Sequence, residues 1–421
     1  MKNFLIGLFT FIGITGANAQ NKTITVHSQT TGKDEVIEIP ESMQSEMDSL
    51  YWDWQSKNHI TMGENCEVAS ANPVVSDSIY MERLSRIPSI MEMPYNESVR
   101  KFIDMYATRL RGKVSYMLAA TNFYMPIFEE ALDLYDLPME LKYLPIIESA
   151  LNPVAVSRQG ATGLWQFMLG TGKIYGLENN SLVDERRDPI KSTWAAVRYL
   201  KDLYAIYQDW NLVLAAYNSG PGTVNKAIRR AGGATDYWAI YNFLPKETRG
   251  YVPAFIAANY IMTYYCEHNI CPMDAQLPAG TDTIHVNKDL HLQQIAEVCN
   301  LNLDQLRGLN PQYKKDIVPG NSELCVLRLP NNTVSTFIER QDSVFTHKAD
   351  EYLTKRKTVA IKESSSARGT KSSGNPVYHK IKNGDTLGSI AQKYRVSVTK
   401  LKQWNNLRGT NITAGKSLRV G

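Results

Sequence analysis

Three stretches, 114–135, 193–207 and 252–265, carry apolar residues at helical spacing and are separated by Gly, Pro and Asn breakers. They predict one all-α domain over about residues 76–270. Upstream, residues 20–75 are polar, with a turn-like Ala71-Asn72-Pro73 and an aromatic cluster Tyr51-Trp52-Asp53-Trp54; they suggest no compact fold, only a wrap around the next domain. Downstream, a strand-like Thr283-Ile284-His285-Val286, two short helical stretches and a closing Leu324-Cys325-Val326-Leu327-Arg328-Leu329 follow in turn. The same order returns with Tyr378-His379-Lys380-Ile381, Ile390-Ala391-Gln392-Lys393-Tyr394, Val398 to Trp404 and Ser417-Leu418-Arg419-Val420, an internal repeat of two βααβ units. Between them, 340–376 is rich in Lys, Ser, Thr and Gly and predicts a disordered tether spanning on the order of 30–35 Å.

The start of the chain is one Lys, an apolar run from Phe4 to Ile14 and then Gly16-Ala17-Asn18-Ala19, which predicts a signal peptide cleaved after Ala19 and export. That run is too short to span a bilayer, no Cys in the first 65 residues offers a lipid anchor, and no later stretch suggests a transmembrane helix. A net charge of +4, with no Lys/Arg block interleaved with aromatics, argues against nucleic acid as a partner. Five cysteines fit an oxidising compartment: Cys266 and Cys271 can close a small loop, Cys299 and Cys325 share a later segment, and Cys66 is left over. No His or Cys cluster has metal-site spacing, so neither metal nor cofactor is expected. The expected organisation is a signal peptide (1–19), an extension (20–90), a helical catalytic domain (91–275), a first small module (281–330), a linker (340–376) and a second module (377–421).

Within the helical domain, Glu148 falls on the apolar face made by Leu137, Leu141, Leu144 and Leu151. A carboxyl in apolar surroundings keeps its proton because desolvation penalises the charged form, which suits a general acid near neutral pH. The plainer alternative is a Glu at a frayed helix end that reaches water. Downstream, the segment from Ser157 to Met168 brings Gly160 and Gly163 into a turn before a helix. There the backbone can approach a ligand, Gln166 offers donor and acceptor, and Trp165 offers a flat face suited to sugar rings. The apolar run Leu212 to Ala216 then stops at Tyr217-Asn218 and a Gly220-Pro221-Gly222 turn, placing a phenol and an amide at a helix end. Taken singly, each of these is ordinary core or turn chemistry.

Glu148-Ser149, Gly163-Leu164-Trp165-Gln166-Phe167, Ala216-Tyr217-Asn218 and Glu247-Thr248-Arg249-Gly250-Tyr251-Val252 resemble, in order and spacing, the successive motifs of lytic transglycosylases in glycoside hydrolase family 23. Val183-Asp184-Glu185-Arg186-Arg187-Asp188-Pro189 looks like the D-type membrane-bound members, and the resemblance covers about residues 90–270. The two repeats resemble LysM modules. Asn383-Gly384-Asp385-Thr386-Leu387 and Asn405-Asn406-Leu407 carry the likeness in the second, whereas the first has Asn287-Lys288-Asp289-Leu290 in place of the Gly-Asp-Thr element.

The resemblance implies a mainly α, lysozyme-like catalytic domain followed by two small α+β modules, acting on peptidoglycan glycan strands. It implies cleavage of the β-1,4 bond between N-acetylmuramic acid and N-acetylglucosamine to a 1,6-anhydro end, with Glu148 as acid and then base. Ser149, Gln166, Tyr217, Asn218 and Tyr251 would hold sugars or orient the carboxyl, and Gly384, Asp385 and Thr386 would bind glycan in the second module. Ordinary glycosidases place two carboxylates about 5–5.5 Å or 6.5–9.5 Å apart. The sequence offers Glu148 no obvious partner: Glu140 is about two helical turns away, Glu129 and Glu130 belong to the preceding helix, and Asp184, Glu185 and Asp188 suit capping and salt bridging. The resemblance explains that gap, because the attacking hydroxyl belongs to the substrate. Rival expectations are a lysozyme-like hydrolase of the same bond and an inactive cell-wall scaffold using its two modules together.

Overall fold

The structure, a computed structural model, describes residues 22–28, 32–44, 61–62, 72–274, 280–355 and, with short interruptions, 378–420. The expected signal peptide, the cluster at 51–54 and Cys66 lie outside the described residues. Two units form, one up to Lys362 and one from Glu363 onward.

The helices of the first unit start earlier than the apolar periodicity alone suggests: Arg111–Leu134, Pro189–Tyr207 and Lys246–Thr263. Caps explain part of the difference. Asp188 accepts from the Ile190 and Lys191 amides with Pro189 at the first turn, so the helix begins four residues before Thr193. Asn96 and Asp209 cap Glu97–Ala107 and Trp210–Ser219 in the same way. These helices enclose a core around Phe102, Tyr124, Phe128, Trp165 and Phe255.

Residues 22–28 and 32–44 are more ordered than the loose wrap expected of them. Thr23–Ser28 and Lys33–Glu38 form an antiparallel hairpin with Thr23 opposite Glu38 and Ser28 opposite Lys33. Val26, Ile37, Ile39 and Met43 enter the same core as Phe102. The hairpin seats at Gly250, where a side-chain carbon would overlap the Glu38 carbonyl. Nor does a seam fall at residue 90: Tyr80 and Leu84 of the helix Asp77–Arg86 belong to this core too.

The first small module has the expected outer ladder, Thr281–Val286 against Cys325–Pro330, around the helices Leu292–Cys299 and Leu303–Leu309. It also has an unexpected inner ladder, Asp289–His291 against Ile317–Pro319. The module is docked on the helical domain: Leu182 and Val183 join its core, the Asp184 amide donates to the Gln312 carbonyl at 2.9 Å, and the Lys314 amide donates to the Leu182 carbonyl at 2.6 Å. The linker expected from 340 is helical at its start. Asn331–Thr346 and Ala349–Tyr352 follow the last strand, and Phe337, Val344 and Leu353 pack on the module, apolar spacing that composition alone concealed.

The second unit pairs Tyr378–Lys380 with Ser417–Arg419 around the helices Leu387–Tyr394 and Val398–Trp404. One asparagine marks the repeat. Asn310 donates to the Leu306 and Arg328 carbonyls and accepts from the Arg328 amide, all at 2.8–2.9 Å. Asn405 does the same with Leu401 and Arg419 at 2.7–2.8 Å. Each tethers the end of a helix to the closing strand.

The expected cysteine pairs do not form. Cys266, Cys299 and Cys325 are free thiols, and Cys271 is disulfide-bonded. Proximity in sequence misled in both cases: Cys266 begins a tight helical turn and stays exposed, and Cys325 is buried against Tyr313.

Candidate active site

Glu148 lies in a helix of six residues, Leu144–Ser149, which has Pro145 in its first turn and stops abruptly because Ala150 and Leu151 both adopt left-handed backbone, at φ 51° and 59°. Neither is a glycine, so the turn is strained, and the surrounding contacts hold it. Leu151 is fully buried, and the Ala150 amide donates to the Ile146 carbonyl at 3.1 Å. The sharp stop leaves Glu148 at the edge of a cleft of about 180 Å³.

Four of the five expected companions line that cleft with it: Gln166, Tyr217, Asn218 and Tyr251. Tyr251, from the helix Lys246–Thr263, donates its hydroxyl directly to Glu148 Oε1. Burial pushes the Glu148 carboxyl up to about 8; the Tyr251 bond opposes this, and the nearby Glu247 charge adds to it. Burial and the Glu148 carboxylate hold the Tyr251 phenol well above its usual range, so it remains a donor. Tyr217 is held up likewise, but its hydroxyl donates to the Trp165 carbonyl at 2.7 Å. It therefore fixes the neighbouring loop and makes no bond to Glu148.

Ser149 takes no part in the lining. It is buried, and its hydroxyl donates to the Pro145 and Leu164 carbonyls at 3.1 and 3.0 Å, tying the Glu148 helix to the following loop. Trp165 is equally remote from any sugar: fully buried, it donates its ring N–H to Thr193 Oγ1 at 2.9 Å and meets Phe128 edge-on. The flat face suited to sugars is a core plug. Gln166 adopts φ 48° and donates its amide to the Gly163 carbonyl at 2.8 Å, so its nitrogen serves the loop.

Gly163 approaches a backbone rather than a ligand, because a Cβ there would overlap the Arg186 carbonyl oxygen. Arg186 is the hub of this region. Its guanidinium pairs with Asp184 at 2.8–2.9 Å and donates to the Gly160 and Phe167 carbonyls at 3.1 Å. The acidic segment 184–188 is thus structural, as its capping and salt-bridging pattern suggests. It also links the docked module to the loop bearing Gln166.

Sequence reasoning finds no second carboxyl beside Glu148; the cleft contains two, Glu41 and Glu247. Glu247 stands in the last quoted motif, four residues before Tyr251 and so on the same helix face, a signal that was available. Burial raises its carboxyl above the ordinary range, with Asn218 opposing. No pattern in the sequence places Glu41 there. Among the described residues no group of His, Cys, Asp and Glu could hold a metal ion.

In the second module Gly384 lies outside the described residues. Asp385 Oδ2 is 2.8 Å from His379 Nε2, whose Nδ1 is 3.0 Å from the Tyr394 hydroxyl, and Thr386 is exposed beside it. In the first module the corresponding Lys288 backbone is pressed against Gly320, and Asp289 accepts from the Asn321 amide at 3.0 Å. That loop is thereby closed by its own chain.

The transglycosylase SLT domain family matches residues 125–240, the LysM-like domain of lytic transglycosylase MltD matches 280–345, and the LysM domain matches 379–421. Membrane-bound lytic murein transglycosylase D of Escherichia coli K12 is 31% identical over 338 residues, 79% of this chain and 70% of that protein. The soluble lytic murein transglycosylase of Escherichia coli K12 is 33% identical over 124 residues, 28% of this chain and 19% of its own. Among solved structures, the 70 kDa soluble lytic transglycosylase from Escherichia coli aligns with 35% of this chain and 25% of its own, at 28% identity and a TM-score of 0.30. A relative matched along most of both chains, with the three domains in succession, makes this chain a member of the D-type lytic murein transglycosylases, peptidoglycan-cleaving enzymes with a helical lysozyme-like domain.

Proposed function

We propose that Glu148 is the sole acid and base of a non-hydrolytic cleavage between N-acetylmuramic acid and N-acetylglucosamine. Glu148 gives its proton to the glycosidic oxygen as the bond to the anomeric carbon breaks through an oxocarbenium-like state. The C6 hydroxyl of the same muramic residue then attacks that carbon, and its proton returns to the Glu148 carboxylate. A 1,6-anhydro ring forms, no water is consumed, and the enzyme is restored. What supports this reading is a carboxyl at the edge of a cleft, bonded by the Tyr251 hydroxyl and pushed up to about 8 by burial. Tyr251 would steady the carboxylate between the two transfers, while Gln166, Tyr217 and Asn218 would shape the sugar site. Asp385 and Thr386 would hold glycan in the second module. Such a substrate requires export, which the apolar start of the chain would supply; among the described residues no helix is long and apolar enough to cross a membrane.

One observation favours a second reading: Glu247 lines the same cleft and could activate water there, giving hydrolysis. Mass spectrometry of muropeptides from digested sacculi separates the two. Anhydro ends, lighter by one water, are expected; reducing ends as the main product would replace the lytic reaction by hydrolysis.

The pH dependence tests the acid. Activity should fall on the alkaline side as Glu148 loses its proton near pH 8. The Tyr251 hydroxyl favours the charged carboxylate, so Tyr251→Phe should move that limb to higher pH and lower kcat by about tenfold or more. Glu247 disfavours the charged form, so Glu247→Gln should move it to lower pH. Shifts of the same sign in both variants would show that another group controls the limb.

A further inference from the structure

Residues 40–44 lie far upstream of the matched catalytic family segment, yet Pro40 and Glu41 stand in the wall of the cleft that holds Glu148. This segment is built into the site. Ser42, buried, donates its hydroxyl to the Ile147 carbonyl at 2.5 Å, one residue before the acid. Lys113 and Arg109 hold the Ser42 and Met43 carbonyls, each at 3.1 Å. On the other side, Arg158 joins residues 40–44 to the loop that brings Ser157 and Gln159 into the same cleft. Its backbone N–H and its Nε reach Glu41 Oε1 at 3.1 and 3.4 Å, and its Nη2 donates to Gln44 Oε1 at 2.7 Å.

An ion pair serving only the surface would leave both partners open to water, and the pair is unequal. The Glu41 side chain is 28% exposed against 51% for Arg158. The Arg158 backbone N–H and Nε both meet Oε1, and a carboxylate has acceptor sites on both oxygens to offer to whatever fills the cleft. A carboxylate accepts hydrogen bonds and donates none, and its bonds are stronger than those of a neutral acceptor. Glu41 and Glu247 line the same cleft, and the Glu41 charge helps raise the Glu247 carboxyl. Such a wall suits hydroxyl and amide hydrogens and repels carboxylates.

We propose that Glu41 is a substrate-contacting residue: anchored by Arg158, its carboxylate accepts hydrogen bonds from hydroxyl or amide hydrogens of the glycan held over Glu148. The inference rests on the reading of the cleft given above and adds a specificity residue from outside the catalytic family segment.

The test uses the full chain and soluble oligomers of alternating N-acetylglucosamine and N-acetylmuramic acid whose lactyl carboxyls are capped as neutral amides. In a Glu148→Gln background, where turnover is removed, adding Glu41→Ala should weaken binding about tenfold by calorimetry, the loss of one charge-assisted bond. Glu41→Gln, which keeps an acceptor oxygen, should recover most of it. In the active enzyme Glu41→Ala should raise KM about as much and leave kcat within about twofold. An unchanged Kd in Glu41→Ala would overturn the proposal, and so would equal weakening by Ala and Gln, the sign that only the Arg158 anchor mattered. Full cell-wall release by Glu148→Gln alone would instead remove the underlying reading of the site.

Discussion

Glu148→Gln is expected to fold normally and to release soluble fragments from sacculi at least about a thousandfold more slowly than the native chain. The size follows from two roles in one residue: general acid and general base each contribute roughly 10²–10⁴, and the amide performs neither. The fold should survive because the native carboxyl is neutral below about pH 8, so the amide removes no charge that the core relies on. It can still accept from Tyr251. Stability should in fact favour the variant. Between pH 4.5 and about 8 the unfolded chain ionises Glu148 while the folded chain keeps it protonated. The unfolded state therefore binds fewer protons there, and the native protein loses stability as pH rises through that window. The variant lacks the titration, so its Tm advantage should grow from pH 4.5 to 8. Unimpaired release, or a Tm difference that shrinks over that window, would contradict an acid kept neutral at the cleft edge.

Gly163→Ala should be the most damaging single-methyl change in the catalytic domain. The residue has φ +89°, and its Cβ would overlap the Arg186 carbonyl oxygen. A flexible side chain could move away; this is a backbone held in place by the Asp184 pair and the bonds to Gly160 and Phe167. Destabilisation of more than about 3 kcal/mol is expected, a fall in Tm on the order of 10 °C, with loss of activity as the Gln166 loop shifts. Gly160→Ala is the control, because Gly160 has φ +83° with open space beside it. Only the left-handed backbone cost of about 1–2 kcal/mol applies there. Calorimetric unfolding of both variants decides the point; equal Tm values would mean that the contact with Arg186 yields.

The helical domain was legible because its signals are local. Apolar spacing and the capping residues Asp188 and Asp209 act within a few residues of the helices they start. The repeat was legible because the same strand, helix, helix, strand order returns along the chain, and Asn310 and Asn405 then make matching bonds in the two copies. Glu148 stood out because a charged residue on an apolar helix face violates the local pattern. Trp165 was misjudged for a related reason: its residue type suits sugar contacts, but which way it faces depends on Thr193, far along the chain, just as the Ser149 tie between the Glu148 helix and the next loop depends on Leu164.

From its sequence alone this chain declared its order of domains, its family and its acidic residue, all of which rest on motifs and periodicities shorter than a helix. The tertiary structure decided what surrounds that residue. A hairpin from residues 22–44 seats on Gly250 and carries Glu41 to the cleft, Arg186 clasps the Gln166 loop, and the first module closes on Leu182 and Val183. These contacts join segments tens to more than two hundred residues apart. Burial and hydrogen bonding select them only once the helices are in place, so no local pattern announces them.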